Sequence, residues 1–317
     1  MRRFSVSKRV LLALLPCLSV FICSAASVDQ KLLSLIPPAA QIVARISAPT
    51  NSSDTSNFLI ITHNNRLDLG DFFALSGVDS TRSIHQVIFA AAENAGQLSE
   101  HSLLASGNFD RERIYRSAVD NGSSTTHYRG VFVLVVQPFA RERGEINEVR
   151  WLAIPEPDVL VFGSNVSVQQ ELDRYLTRSS VDSRLAARLN RLRRDDATWC
   201  VLSLPAWSTE IRSALAVINS ELAAGLKDGD AFQFGIHYGR HVEFEYEITT
   251  NSSAATRSIS DTLTRSLVGT EKGLELLPPI DMSTDNNTVR GIIKVSMTRY
   301  NAWLAEVSAR GKSTVFR

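Results

Sequence analysis

The chain alternates short apolar runs with polar loops, and the spacing of the apolar residues predicts strands and helices in turn. Tyr128 to Val136 is an almost continuous apolar run, which is typical of a strand covered on both faces. Val168, Leu172 and Leu176 recur at every fourth position, the spacing of one helix face. Four successive segments follow the order strand, strand, helix. The pattern therefore predicts an α+β fold of repeated β-β-α units, with antiparallel sheet packed on one side by helices.

The pattern is most specific for a hairpin over residues 231–249. Apolar residues occupy every second position on both predicted strands, from Phe232 to Tyr238 and from Val242 to Ile248. Directly opposed residues of an antiparallel pair face the same side of the sheet. Both apolar sets reach one core only if the loop has an odd number of residues, so we expect the loop Gly239-Arg240-His241.

A helix is predicted from Asp110 to about Val119. Asp110 is a good N-cap residue, and Phe109 and Ile114 hold the two positions of a hydrophobic staple. Asn121-Gly122 is a typical helix end, because glycine adopts the left-handed conformation that terminates many helices.

The first 26 residues have the layout of a secretory signal peptide. Four basic residues precede the apolar run from Val10 to Cys23, and small residues follow it. A helix of that length spans about 21 Å, which is short of the roughly 30 Å hydrocarbon layer. We expect cleavage before Ser27 and a periplasmic or secreted protein. The alternative is an uncleaved segment that anchors the protein, its only expected contact with a membrane.

Composition and charge describe an ordinary folded chain. Of 317 residues, 44% are hydrophobic and 21% are charged, a composition that excludes a disordered chain. The leader holds four basic and no acidic residues, so its removal changes the net charge from +1 to −3. The remainder offers no general case for nucleic acid binding. We divide it into α+β halves, 27–178 and 179–317, with one continuous domain as the alternative.

One spacing in the sequence resembles a metal site. His237 and His241 lie four residues apart, and the predicted hairpin places Glu243 opposite His237. The competing interpretation is an exposed imidazole–carboxylate pair, because structural metal sites usually have four ligands. We expect neither a metal nor another cofactor. Glu243, Glu245 and Glu247 alternate on this face, which predicts a solvated sheet surface or, alternatively, an acidic strip for a basic partner.

Arginines recur at helical spacing after residue 180. Leucines supply the opposite side of the same predicted helix, which runs from about Asp182. Such a basic face binds anionic polymers or lipid headgroups, whereas an ordinary surface helix is the alternative interpretation. The candidate surface-binding residues are Arg184, Arg188, Arg191 and Arg194, with Arg193 beside them.

Three functions remain open. The sequence contains no nucleophile elbow, zinc-protease, phosphate-loop or dinucleotide motif. We expect a bacterial, non-enzymatic binding or assembly module at the cell envelope, whose partner is a protein or an envelope polymer. A hydrolase with a dispersed carboxylate or serine site is one alternative, and it requires a cleft that joins shifted carboxyls. A carrier of an apolar ligand is another, and it requires an internal cavity.

Overall fold

The computed structural model describes residues 30–47, 83–94, 97–136, 149–193, 196, 198–203, 226–268, 281–300 and 302. Twelve strands lie in these residues: β1 (Ile42–Ser47), β2 (Ile84–Asn94), β3 (Gln97–Gly107), β4 (Ser124–Tyr128), β5 (Val131–Val136), β6 (Arg150–Glu156), β7 (Val159–Gly163), β8 (Thr198–Ser203), β9 (Gly229–Tyr238), β10 (His241–Thr250), β11 (Asp281–Asp285) and β12 (Thr288–Ser296). Five α-helices lie wholly within the described residues: α1 (Gln30–Leu35), α2 (Arg111–Asp120), α3 (Asn165–Leu176), α4 (Ser183–Leu189) and α5 (Ser253–Val268).

All twelve strands form one antiparallel sheet. Their order across it is β11-β12-β10-β9-β8-β1-β2-β3-β7-β6-β5-β4. The broad α+β prediction is therefore confirmed. The two predicted halves share this sheet, because β1 pairs with β8, with Val43 opposite Val201.

Helices cover both faces of the sheet, so the expectation of helices on one side is wrong. On β7, Leu160 and Phe162 join the core that contains Ile114 of α2, whereas Val159 and Val161 join the core of α1, α3 and α4. We call these the first and second faces. Helix α5 lies on the first face as well, on the strands of the second half. The physical reason is that central strands such as β7 are buried at every residue, so each face needs its own cover.

The strand order reads outward in the same way from both sides of the central β1–β8 pair. In each half, three consecutive strands lie side by side from the centre outward, β1-β2-β3 in one and β8-β9-β10 in the other. The chain then crosses the first face through a helix to the outermost strand, β4 or β11, and the strands that follow lie progressively closer to the centre. These crossovers are α2, which follows β3, and α5, which follows β10. The order strand, strand, helix thus occurs at both places, but α3 follows β7 on the other face. A repeated β-β-α unit stays a prediction.

The local predictions in the described residues are confirmed at their decisive positions. The Asp110 side chain accepts a hydrogen bond from the backbone N–H of Arg113 at 3.1 Å, which caps α2. Gly122 ends the helix with φ of 91°. Across the hairpin, Val242 is opposite Tyr238, so the three residues between them form the loop and both apolar sets face the first side.

Candidate functional site

The predicted hairpin register places the candidate metal residues as expected. Glu243 lies opposite His237, and His241 begins β10. In the part of the chain that the structure describes, however, no cluster of three histidine, cysteine or acidic side chains is arranged to hold a metal ion. The Glu243 carboxylate contacts two cations instead, Arg193 at 2.7 Å and Lys294 at 3.2 Å. Burial alone would raise the pKa of Glu243, but hydrogen bonds and charge from these cations lower it.

The arginines after residue 180 and the glutamates of β10 are each other's partners. Arg191 lies 2.7 Å from one oxygen of Glu247, and Arg290 of β12 lies 2.7 Å from the other. Arg188 is 3.7 Å from Asp230. Together with the Glu243 pairs, these contacts form a charged layer on the second face. We call it the arginine–glutamate layer, and its members are Arg188, Arg191, Arg193, Arg290, Lys294, Asp230, Glu243 and Glu247.

Of the two remaining predicted surface residues, the structure describes only Arg184. Arg184 is exposed on α4 and makes no ion pair within the described residues. Arg194 lies outside the described residues. Leu185, on the opposite side of α4, is buried against the second face, as expected for an amphipathic helix.

The arginine–glutamate layer holds more positive than negative charge. Among the described residues, five cations contact three carboxylates, and the charge of Asp182 also attracts Arg188, so a surplus of one positive charge remains. The negative charge of Glu245, on the same face, and the positive charge of the exposed Arg184 cancel in this count. The expected solvated sheet surface is wrong at Glu247, which is 6% exposed. The most exposed cations are Arg290 and Lys294, at 58% and 56%, and among the carboxylates of the layer Asp230 is exposed to a similar extent, 53%.

A carboxyl group is fully buried beneath α3. Glu171 is 0% exposed, and its Oε1 accepts a hydrogen bond from the hydroxyl of Ser102 on β3. Its Oε2 has no hydrogen-bond partner among the described residues. Burial raises the pKa of Glu171 to about 8, and the Ser102 hydrogen bond opposes this only in part. This shifted carboxyl lies in the core, so it is not in the solvent-accessible cleft that the hydrolase alternative requires.

A buried arginine connects the two halves. Arg45, in the middle of β1, is 1% exposed and donates to Oε1 of Gln86 at 3.0 Å and to the backbone carbonyl of Asp196 at 3.2 Å. Asp196 is itself buried, and its carboxylate lies against the backbone of Gly235. A side chain at position 235 would overlap that carboxylate.

The buried polar residues were missed from the sequence, although each left a signal. Arg45 is the one charge inside the apolar strand IVARIS. Glu171 lies between Val168 and Leu172 on the helix face that those residues define, so the helical period already placed it inside. Nothing in the sequence indicated that Ser102 would be its partner, because the two are 69 positions apart.

No helix among the described residues has the length and apolar character to span a bilayer. Comparisons of the chain with protein-family models, with curated proteins and with solved structures found no match.

Proposed function

We propose that this is an exported, non-enzymatic binding or assembly module at the cell envelope, and that the arginine–glutamate layer is its contact surface. The observation that carries the proposal is the surplus of cations over carboxylates in that layer. The partner that fits such a surface is an anionic envelope polymer, because local positive potential attracts a polyanion even though the chain without its predicted leader carries a net charge of −3.

Ion pairing within the layer favours this role, and it does not use all the hydrogen-bond donors of the cations. A guanidinium carries five N–H donors. Within the described residues, Arg290 uses one of them on Glu247. The carboxylate therefore holds Arg290 and Arg191 in fixed positions while donors remain for a ligand, and such preorganisation lowers the entropy lost on binding.

We also propose that the fold consists of repeated β-β-α units. Support comes from the matching outward strand order of the two halves and from α2 and α5, which cross the same face at equivalent places.

The experiment is retention of the mature protein, Ser27 to Arg317, on dextran sulfate beads and on the polymer fraction of its native envelope, with plain dextran as control. The proposal expects retention on both anionic materials and release by salt, since ionic contacts are screened. Passage through both materials at low salt would contradict it.

Export has a separate test. Expression of the full chain in a bacterial host should give a mature protein that begins at Ser27 and appears in the periplasmic fraction. Protein that retains Met1 and sediments with membranes would replace secretion by anchoring.

A further inference from the structure

A concavity opens on the first face, away from the arginine–glutamate layer. It lies between the start of α2 and the ends of β5 and β6, and its volume is about 440 Å³. Small-molecule sites commonly have volumes of about 300–1,000 Å³. The residues that line it are Arg111, Tyr115, Gly130, Val131, Phe132 and Pro155.

The Tyr115 hydroxyl fixes the wall of this concavity. It donates to the backbone carbonyl of Phe132 at 3.0 Å and accepts from the backbone N–H of Ile154 at 3.1 Å. The last regular pair between β5 and β6 is Val133 opposite Ala153, directly beside Phe132 and Ile154. The hydroxyl thus bridges the two backbones where a direct hydrogen bond would otherwise form, so the wall is built before any ligand arrives.

The wall is aromatic and half-buried. The rings of Tyr115 and Phe132 stack with centroids 4.8 Å apart and an angle of 25° between their planes. His127 packs its edge against Phe132 at 5.1 Å. Val131 and Pro155 extend the apolar part of the lining, which makes up slightly more than half of the wall.

Arg111 is the one charged residue among the six that line the concavity. It is the first residue of α2, it is exposed, and it makes no ion pair within the described residues. The neighbouring carboxylate of Asp110 is engaged by the backbone N–H of Arg113. A single cation beside an apolar wall favours a ligand that combines one negatively charged group with an apolar moiety.

We propose that this concavity binds a small aromatic carboxylate, with the carboxylate on the Arg111 guanidinium and the ring against Phe132 and Pro155. The site is independent of the proposed polymer contact, because it lies on the opposite face of the sheet. The concavity is open, so we expect a dissociation constant of about 0.1–1 mM for a two-ring probe.

The test is an NMR titration of the mature protein with 2-naphthoate, followed by backbone amide shifts. We expect saturable shifts centred on residues 111–115 and 130–132. Neutral 2-naphthamide and ring-free acetate should each bind at least about tenfold more weakly, because each lacks one of the two contacts. Dextran sulfate should leave these amides unshifted, which separates this site from the polymer surface.

Two variants identify the cation. Arg111→Gln should weaken naphthoate binding about tenfold. The matched control, Arg113→Gln, removes an exposed arginine from the same helix and should leave binding unchanged. The proposal is overturned if naphthoate gives no saturable shift up to about 10 mM, if the amide binds equally well, or if both variants bind like the wild type. Amide spectra of each variant report whether it is folded.

Discussion

The guanidinium of Arg191 lies 2.7 Å from the carboxylate of Glu247, a residue 56 positions later in the chain. One belongs to a run of basic residues, the other to a strand with alternating glutamates. From the sequence, each run was compatible with a solvated surface or with an external partner of opposite charge. In the folded chain they meet, and what remains for a ligand is the surplus of cations over carboxylates among the described residues.

The layer predicts a specific cost for losing Glu247. Glu247→Gln leaves Arg191 and Arg290 without the charge that both contact; the Glu247 carboxylate is nearly buried, whereas the two arginines are about half exposed. We expect the free energy of unfolding, measured by urea denaturation, to fall by about 1–3 kcal/mol. Glu245→Gln is the matched control on the same strand, and it should change stability by less than about 0.5 kcal/mol. Equal losses in the two variants would show that the Glu247 pairs contribute nothing particular.

The buried Glu171 carboxyl predicts that stability falls as pH rises from about 4.5 to about 8. Its pKa is about 8 in the folded chain and near 4.5 when exposed, so the folded state binds the proton more tightly between those values. Stability therefore decreases as pH rises, by at most about 1.4 kcal/mol for each pH unit. Glu171→Gln should remove this slope and raise stability at pH 8, as measured by urea denaturation at several pH values. Asp173→Asn removes a half-buried carboxylate of the same helix that is paired with Arg129 and is the control.

His101 produces the opposite slope at lower pH. Burial, together with the charge of Arg150, lowers the pKa of His101 to about 4 from its usual 6.5. The unfolded chain binds that proton more tightly between pH 4 and 6.5, so stability rises with pH there. The two effects offset one another up to about pH 6.5, and the fall due to Glu171 should appear above it. In His101→Asn the fall should instead begin near pH 4.5. A wild-type stability that is level from pH 6.5 to 8 would contradict the assignment to Glu171.

The close packing at Gly235 predicts that any larger side chain at this position destabilises the protein. A Cβ at this position overlaps the buried carboxylate of Asp196, whose own carbonyl accepts from Arg45. Gly235→Ala should therefore destabilise the protein by about 1–3 kcal/mol or more in thermal and urea unfolding. In the same hairpin, a Cβ at Gly239 meets only the far end of the His237 side chain, at 3.3 Å. Gly239→Ala should be nearly neutral, and a comparable loss in both variants would refute the steric explanation.

Helix α1 predicts how far the amino terminus tolerates shortening. Leu32 is 0% and Leu35 2% exposed, and Lys31 contacts Glu156 and Asp158, each at 2.8 Å. A chain that starts at Gln30 should unfold at the same urea concentration as one that starts at Ser27. A start at Pro37 removes this helix, and we expect a large loss of stability or no folded protein.

A point substitution provides the same test without a deletion. Leu32→Ala should cost about 2–5 kcal/mol in urea denaturation. Ser34→Ala, on the half-exposed side of the helix, should cost less than about 1 kcal/mol. If Leu32→Ala were as mild as Ser34→Ala, the helix would not be part of the core.

The spacing of apolar residues along the chain predicted the local structure well. The loop of the 231–249 hairpin followed from the parity of its apolar residues alone, because a one-residue change of register would expose one set. The Asp110 cap and the Gly122 end of α2 followed from similarly local chemistry. Such features depend on neighbours in the chain, which the sequence shows directly.

Features that depend on distant parts of the chain were not predictable in this way. The placement of α3 on the face opposite α2 depends on how the crossovers run, and a strand–strand–helix order is compatible with either face. Likewise, the pairing of Arg191 with Glu247 and of Ser102 with Glu171 depends on tertiary packing. The concavity at Arg111 depends on a hydroxyl, that of Tyr115, interrupting a strand pair, and no sequence pattern signals that event.

Whether the arginine–glutamate layer binds a polyanion is most directly tested by dextran sulfate affinity in two variants with equal loss of charge. The first is Arg184→Gln/Arg290→Gln/Lys294→Gln, which removes exposed cations of this surface. The second is Arg113→Gln/Arg116→Gln/Arg257→Gln, which removes three exposed cations elsewhere. We predict that the first loses at least about tenfold in affinity at fixed ionic strength and that the second stays within about twofold of the wild type. Equal affinities in the two variants would contradict the proposed surface.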